Sequence, residues 1–221
     1  MFSSKLKDER LKLSKAQLKQ DIFVLDQLQL KEDGYFVEFG ATNGILNSNT
    51  WLLENHFNWT GILAEPSIYW HDQLHKNRSC HIDTACIWTE SNQSVLFNEV
   101  DPNVTHYANE LSTIDVFSGC DTHADVRSFG KKYPVSTLSL LDLLKKYSAP
   151  QQIDYLSIDT EGSELEILQA FDFNQYTIKI ITCEHNYTPA REHIHDFLEK
   201  KGYVRKLEQF SAWDDWYILS Q

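Results

Sequence analysis

The sequence is short of cysteine, of basic residues and of long hydrophobic runs, and each shortage excludes a class of protein. Four cysteines are present: Cys80, Cys86, Cys120 and Cys183. None of them forms a Cys-x-x-Cys pair, which excludes the common zinc and redox motifs and favours free thiols. No run of about 18 apolar residues occurs, so no membrane-spanning helix is expected. The first residues lack the apolar stretch of a signal peptide, and we therefore predict a cytoplasmic protein.

The charge balance limits the partners of the protein. Acidic residues outnumber basic ones by 32 to 20, which gives a net charge of −12 over 221 residues. Nucleic acids and anionic membranes attract clusters of Lys and Arg, so we expect neither as a partner. A neutral or weakly charged substrate fits this balance better. The hydrophobic fraction of 42% is typical of a globular protein.

The N-terminal arm, residues 1–33, differs in pattern from the domain that follows over residues 34–221. Leu11, Leu18 and Leu25 recur every seven residues, and Ser14 with Gln17 matches a capping box, so the arm is predicted to be helical. The repeat is too short for a coiled coil. We therefore expect the arm to cover the sheet of the domain.

From residue 35 onward, short apolar runs alternate with helical patterns. The predicted strands are Tyr35–Phe39, Gly61–Ala64, Cys80–Ile87, Ile153–Ile158, Lys179–Cys183, Tyr203–Leu207 and Trp216–Leu219. The predicted helix starts are Ser67, Ser139, Ser163 and Thr188. This alternation predicts an α/β fold, with a mostly parallel sheet, helices on both faces and an antiparallel C-terminal hairpin. The irregular stretch over residues 101–132 is typical of a functional loop.

Acidic residues follow successive strands, where a doubly wound sheet binds its ligand. These residues are Glu38, Glu65, Asp83, Asp159 and Glu184. Gly40 and Gly44 follow the first strand, but Thr42 stands where the dinucleotide fingerprint requires glycine, and no Walker lysine follows. A nucleoside without phosphates is the natural alternative, and Glu65 can accept both hydroxyls of its ribose. S-adenosylmethionine combines such a nucleoside with a cationic sulfur and an amino acid.

Five segments, taken in order, resemble the FkbM family of methyltransferases. They are residues 36–44 (FVEFGATNG), 48–54 (SNTWLLE), 61–66 (GILAEP), 136–141 (STLSLL) and 158–164 (IDTEGSE). The resemblance extends over about residues 34–219. It implies a class I, Rossmann-like methyltransferase fold with a seven-stranded sheet and S-adenosylmethionine as the methyl donor. It also implies O-methylation of a sugar in a glycan or glycoside, such as the deoxyhexose rhamnose.

The resemblance also implies which residues bind the donor. Those implied for its methionine part are Glu38, Gly40, Ala41, Asn43, Ser48 and Thr50. Ser48 and Thr50 would lie at the start of a helix, where an N-terminus favours the donor's carboxylate. Glu65 is implied for the ribose, and Ala85 and Cys86 for the adenine. Asp159 would stand beside both the donor and the acceptor.

Two mechanisms for activating the acceptor hydroxyl stay open. In the first, Mg²⁺ or another divalent cation is bound by Asp159 and Glu184, with His185 or Asn186 as a further ligand. In the second, His185 is a general base that works without metal and is oriented by a nearby carboxylate. Glu161 is a further catalytic candidate, although its position at a helix N-terminus can also explain it.

The acceptor site is expected to include residues 101–132 and four aromatic side chains: Tyr107, Phe117, Trp213 and Trp216. The expected partner is a sugar or glycan, and membrane insertion is not expected. A homo-oligomer, or a place in a larger glycan-synthesis polypeptide, stays open. Three other functions also stay open: an N-methyltransferase, a nicotinamide oxidoreductase, and a non-catalytic S-adenosylmethionine-binding module on the same fold.

Overall fold

The structure, a computed structural model, describes residues 7–104 and 108–220. The strands found in these ranges are β1 Tyr35–Phe39, β2 Thr60–Ala64, β3 His81–Asp83, β4 Cys86–Trp88, β5 Ser94–Glu99, β6 Thr113–Ile114, β7 Lys131–Ser139, β8 Gln152–Ile158, β9 Thr177–Glu184, β10 Tyr203–Lys206 and β11 Asp214–Leu219. The α-helices are α1 Gln20–Gln27, α2 Trp51–Phe57, α3 His71–Asn77, α4 Ala124–Arg127, α5 Leu140–Lys146, α6 Glu164–Ala170, α7 Ala190–Lys200 and α8 Glu208–Ser211. None of these helices combines the length and hydropathy that a membrane span requires.

The larger sheet of the described chain has seven strands in the order β10-β11-β9-β8-β1-β2-β3. The five strands from β9 to β3 are parallel, and β11 pairs antiparallel with both β9 and β10. This confirms the predicted α/β fold with its antiparallel hairpin, and the strand order is that of class I methyltransferases. The order reverses at β1, which lies between β8 and β2. The crevice of a doubly wound sheet therefore opens at the carboxyl ends of these strands.

The sheet is buried on both faces, because successive residues of a strand point to opposite sides. On one face, Val37 and Leu156 pack in a cluster with α5, α6 and α7. On the other face, Phe36 and Tyr155 pack in a second cluster with α1, α2 and α3. The two helical layers hold the strand ends rigidly. All four cysteines are free, as predicted.

The described chain also forms a second sheet, with the strand order β4-β7-β5-β6. The predicted third strand is divided between the two sheets. The prediction of one strand over Cys80–Ile87 is wrong, because the chain leaves the larger sheet after Asp83 and joins the second sheet at Cys86. The Asp83 side chain causes the break. Its Oδ1 accepts a hydrogen bond from the amide of Ala85 at 2.9 Å, which forms a local turn.

The N-terminal arm covers one face of the larger sheet, but not as the predicted long helix. A 3-10 helix over Glu9–Leu13 and the short α1 are separated by residues 14–19. Ser14 caps no helix with Gln17, because its hydroxyl donates to Asp21 at 2.8 Å. Burial of the consecutive residues 23–25 against the sheet, with Phe23 on Trp216 at 4.8 Å, overrides the heptad pattern.

The predicted helix caps have mixed outcomes. Ser139 caps α5 as predicted, since its hydroxyl accepts the amide of Asp142 at 3.1 Å. Ser163 makes no such bond at the start of α6. The carboxylate of Glu164, the first residue of α6, instead accepts the amides of Thr160 and Gly162 at 2.9 and 3.1 Å. These bonds stabilise the loop that follows β8 and do not cap the helix.

Candidate active site

A cavity of about 730 Å³ opens at the carboxyl ends of the central strands. The acidic residues that line it from these strand ends are Glu38, Glu65, Asp159, Glu161 and Glu184. Residues 109–112 and 120–123, from the irregular stretch, form a further wall, and Gln17 and Trp213 complete the lining. Its volume is in the range of small-molecule sites.

Glu38, at the end of β1, is held by the loop before α2. It accepts hydrogen bonds from the Ser48 hydroxyl at 3.0 Å, from the amide of Asn49 at 2.7 Å and from the Thr50 hydroxyl. The fully buried Arg78 donates to Ser48 and Thr50 and lies 3.8 Å from Glu38. Ser48 and Thr50 thus support Glu38 and are not among the lining residues, whereas Asn49 is.

The glycine turn after β1 brings two strand ends together. Gly40 has a φ of +71°, and a Cβ there would overlap the carbonyl oxygen of Asp159, so only glycine fits. Ala41 is buried and does not line the cavity. The side chain of Asn43 accepts the amide of Ile45 at 2.9 Å, which stabilises the turn and keeps Asn43 out of the lining.

Glu65, at the end of β2, presents a buried carboxylate to the cavity. Its two oxygens accept the amides of Thr42 and Ser67, each at 2.8 Å. Burial raises the pKa of Glu65 to about 7. Each oxygen keeps a lone pair for a ligand hydroxyl. Glu99 of the second sheet steadies this loop, because it accepts the Ser67 hydroxyl at 2.6 Å.

An apolar section of the cavity lies beyond Glu65 and is lined by Pro66, Trp70, Cys86, Ile87 and Phe97. Of the two residues implied for the adenine, Cys86 lines the cavity and Ala85 does not. Trp70 and Phe97 were not predicted to lie at the site, because Trp70 is in a 3-10 turn and Phe97 is in the second sheet. Pro66 directly follows Glu65, and this is the local sequence signal that could have indicated the apolar section.

Three carboxylates meet at the ends of β8 and β9. One oxygen from each of Asp159, Glu161 and Glu184 lies within 4.8 Å of the others. Burial raises the pKa of Asp159 to about 7. Burial, with the charge of Asp159, raises the pKa values of Glu161 and Glu184 well above their usual range. The buried Oε2 of Glu184 has no hydrogen-bond partner in the described chain. Such a group fits a proton or a hard cation.

Glu161 joins this cluster to the irregular stretch. Its backbone has a φ of +60°, and its Oε2 accepts Arg127 at 2.7 Å and Asn186 at 3.1 Å. Arg127 also donates to both oxygens of Asp121, at 2.7 and 3.0 Å. One buried guanidinium therefore fixes a wall of the cavity to the loop that carries Glu161.

His185 is not brought to the cluster, although it is the neighbour of Glu184. Its Nδ1 accepts the amide of Tyr187 at 3.0 Å, and its Nε2 lies 3.8 Å from Asp215. The side chain is buried and is not among the lining residues. The sequence analysis placed His185 beside Asp159 and Glu184, whereas the structure places Glu161 beside these two residues.

The predicted aromatic residues fall in different places. Trp213 lines the cavity. Trp216 is buried in the core, and Phe117 packs on Trp88 at 5.9 Å. Neither of them lines the cavity. Tyr107 lies outside the described residues.

The lining is strongly acidic. Its charged members are Glu38, Glu65, Glu110, Asp121, Asp159, Glu161 and Glu184. No Lys or Arg of residues 7–104 and 108–220 lines the cavity. A cleft of one charge sign repels ligands of that sign, so the site disfavours phosphate-bearing ligands.

Comparison with protein families decides the assignment. Residues 38–205 match the family model described as "Methyltransferase FkbM domain". The chain belongs to the FkbM methyltransferase family. The resemblance seen in the sequence is confirmed, and the FkbM protein is an S-adenosylmethionine-dependent methyltransferase.

Solved structures of other methyltransferases are similar to this FkbM protein at low identity. Precorrin-6y C5,15-methyltransferase from Geobacter metallireducens has 13% identity and a TM-score of 0.45, with 99% of this chain and 91% of that chain covered. Ribosomal protein L11 methylase from Lactobacillus delbrueckii has 9% identity and a TM-score of 0.45, with coverages of 92% and 77%. The N-terminal domain of human METTL16 in complex with SAH has 13% identity and a TM-score of 0.41, with coverages of 91% and 68%. No curated protein matches the sequence significantly.

Proposed function

We propose that this FkbM protein transfers the methyl group of S-adenosylmethionine to a hydroxyl of a sugar, in a glycan or glycoside. The observation that carries the proposal is the trio of half-buried Asp159 with the buried Glu161 and Glu184 at the cavity end of β8 and β9. A sugar hydroxyl is a poor nucleophile until it loses its proton, and carboxylates with raised pKa values can take that proton near neutral pH. Among the described residues, no Lys or Arg lines the cavity, and this supports an acceptor without phosphate.

The donor fits the other end of the cavity. Glu65 would accept the ribose hydroxyls, and the apolar section that includes Ile87 and Phe97 would enclose the adenine. Glu38 and Asn49 would face the amino-acid part, where the negative charge of Glu38 attracts the ammonium group. This arrangement directs the methyl group toward Asp159.

The transfer is an in-line displacement at the methyl carbon. The acceptor oxygen forms the new C–O bond as the C–S bond breaks, and S-adenosylhomocysteine leaves with a neutral sulfur. The acceptor proton passes to a carboxylate oxygen of Asp159. The cavity contributes orientation of the two reactants, and a positioned base typically contributes about 10²–10⁴-fold in rate.

The same trio fits a divalent cation. Asp159, Glu161 and Glu184 would hold it, and the unpartnered Oε2 of Glu184 is an available ligand. Bound Mg²⁺ would lower the pKa of the acceptor hydroxyl. The geometry supports Asp159 rather than His185 as the base, because the His185 side chain does not line the cavity, its Nδ1 already accepts the Tyr187 amide, and its Nε2 lies toward Asp215.

An N-methyltransferase is the second candidate, and one observation favours it. The acidic lining would attract a protonated amine as well as accommodate a neutral sugar. An amine acceptor must also lose a proton, so the same carboxylates could serve it.

One assay separates these functions. The protein is incubated with S-adenosylmethionine, Mg²⁺ and either a panel of methyl glycosides that includes methyl α-L-rhamnoside or a panel of primary amines, and S-adenosylhomocysteine is quantified. We expect turnover with at least one glycoside and a methyl ether in the product by NMR. Asp159→Asn should lose about 10²-fold or more in kcat, and Glu90→Gln, an exposed control, should match the wild type. Turnover with amines alone would replace the proposal by N-methylation.

A further inference from the structure

The turn after β9 carries an exposed aromatic side chain at the edge of the cavity. Tyr187 is 67% exposed and is one of the lining residues. It follows Glu184 of the carboxylate trio by three positions in the chain. A single exposed aromatic residue is unremarkable on a protein surface, but this one borders the place where the acceptor must enter.

The backbone of this turn is held in an unfavourable conformation. Asn186 and Tyr187 have φ values of +45° and +56°. A bulky residue such as tyrosine rarely adopts a positive φ, because its Cβ crowds the backbone. Strain of this kind persists only where surrounding contacts enforce it, and it is concentrated at functional sites.

His185 supplies the enforcing contact. Its Nδ1 accepts the amide of Tyr187 at 3.0 Å, and the two rings meet edge to face with centroids 5.6 Å apart. The carbonyl of His185 accepts the Thr188 hydroxyl at 2.8 Å. The backbone amides of His185 and Asn186 both donate to Trp213, at 2.9 and 3.2 Å. The turn is therefore tied on both sides of Tyr187.

Asp215 faces the other side of the His185 ring, and no hydrogen bond joins the two residues. This carboxylate lies 3.8 Å from Nε2 of His185. Arg191 donates to both of its oxygens, at 2.9 and 3.0 Å, and Arg205 adds a third bond at 3.0 Å. Because Nδ1 accepts a hydrogen bond, the proton of a neutral imidazole is on Nε2, toward Asp215. The exposed ring of Tyr187 is thus in contact with the buried side chain of His185.

We propose that Tyr187 is the platform on which the acceptor sugar ring stacks, and that His185 is the positioning residue that holds this platform in place. The inference rests on the proposed sugar acceptor. The face of a sugar ring presents C–H groups that pack on the electron-rich face of an aromatic ring. Tyr187 would bind the ring of the acceptor, while Asp159 receives the proton of its hydroxyl.

The first test compares Tyr187→Ala with Tyr187→Phe and Tyr187→Trp, using methyl α-L-rhamnoside or whichever glycoside of the panel turns over. We expect KM for the glycoside to rise about tenfold in Tyr187→Ala and to change little in the two aromatic variants. The dissociation constant of S-adenosylhomocysteine should stay unchanged, which also shows that the variant is folded. Phe129→Ala is the matched control, because Phe129 is 68% exposed and lies outside the cavity lining.

The second test separates positioning from acid–base chemistry at His185. His185→Asn keeps an acceptor near the position of Nδ1, and His185→Leu does not. We expect the glycoside KM to rise in His185→Leu as in Tyr187→Ala, and to recover in His185→Asn, with the pH profile of kcat unchanged in both.

Three results would overturn the inference. An unchanged glycoside KM in Tyr187→Ala removes the platform. A loss of kcat with an altered pH profile in His185→Asn makes His185 a base instead. If the wild-type protein methylates no glycoside, the proposed function fails and the inference fails with it, an outcome that the wild-type assay alone identifies.

Discussion

Arg127 and Glu161 form an ion pair that is closed to solvent, with 2.7 Å between Nη2 and Oε2. Arg127 ends α4 in the irregular stretch, and Glu161 follows β8 in the larger sheet. The guanidinium also donates to the carbonyl of Leu111 at 2.8 Å. A wall of the cavity is thus attached to the carboxylate trio through one side chain.

We predict that Arg127→Met strongly destabilises the fold. Removing one partner of a buried ion pair leaves an uncompensated charge, which costs about 3–5 kcal/mol. Urea unfolding measures this loss. Lys132→Met is the control, because Lys132 pairs with Asp115 in a half-exposed position, and its loss should cost about 1 kcal/mol or less.

The double variant of Arg127→Met with Glu161→Gln tests whether the two residues are coupled. We expect it to be more stable than the sum of the single effects predicts, because neutralising Glu161 removes one of the unpaired charges. Additive losses would show that the pair does not act as a unit.

Glu65→Ala should weaken donor binding. The carboxylate would lose charge-assisted hydrogen bonds to the ribose, each of which contributes about 1.5–3 kcal/mol, or about 10- to 150-fold in affinity. Calorimetric titration with S-adenosylhomocysteine measures the change, and the exposed Glu90 provides a matched alanine control. Equal affinities of wild type and Glu65→Ala would remove Glu65 from the donor site.

The stability of the protein without metal should fall as pH rises. Burial raises the pKa of Asp159 from 3.8 to about 7, so between these values the folded protein holds a proton that the unfolded chain has released. Stability is then lost progressively from about pH 4 to about pH 7. In Asp159→Asn, the melting temperature should decline less steeply over this range. Parallel curves for the two proteins would contradict the raised pKa.

Mg²⁺ should raise the melting temperature of the wild type and not that of Glu184→Gln. The buried carboxylates repel each other, and a cation between them relieves that repulsion. Glu166→Gln, in α6 and outside the cavity lining, should respond as the wild type does. EDTA should abolish both the stabilisation and the turnover. Undiminished turnover in EDTA would leave Asp159 as a metal-free base.

Local pattern was enough to predict most strands of the larger sheet. β1 begins and ends as predicted. An apolar run followed by glycine indicates a strand, and the whole pattern lies within five or six consecutive residues. The prediction over Cys80–Ile87 was wrong, because apolar residues continue through a turn that depends on the single side chain of Asp83. The prediction for the arm was wrong for a different reason, since Phe23, which lies outside the heptad stripe, packs on the distant Trp216.

The site was predictable where it depends on strand ends. Glu38, Glu65 and Asp159 all line the cavity, because topology brings parallel strand ends together. The His185 side chain points away from the cavity, where its Nδ1 accepts the Tyr187 amide and its Nε2 lies toward Asp215, thirty positions later in the chain. The wall over residues 109–123 likewise depends on the hydrogen bond from Arg127 to the carbonyl of Leu111. No local sequence pattern predicts this contact.

A crystal structure with S-adenosylhomocysteine bound tests the central claim most directly. The account predicts the nucleoside in the cavity at the ends of β1, β2 and β8, with both ribose hydroxyls on Glu65 and the sulfur facing Asp159. A nucleoside bound elsewhere, or a ribose that makes no contact with Glu65, would contradict it.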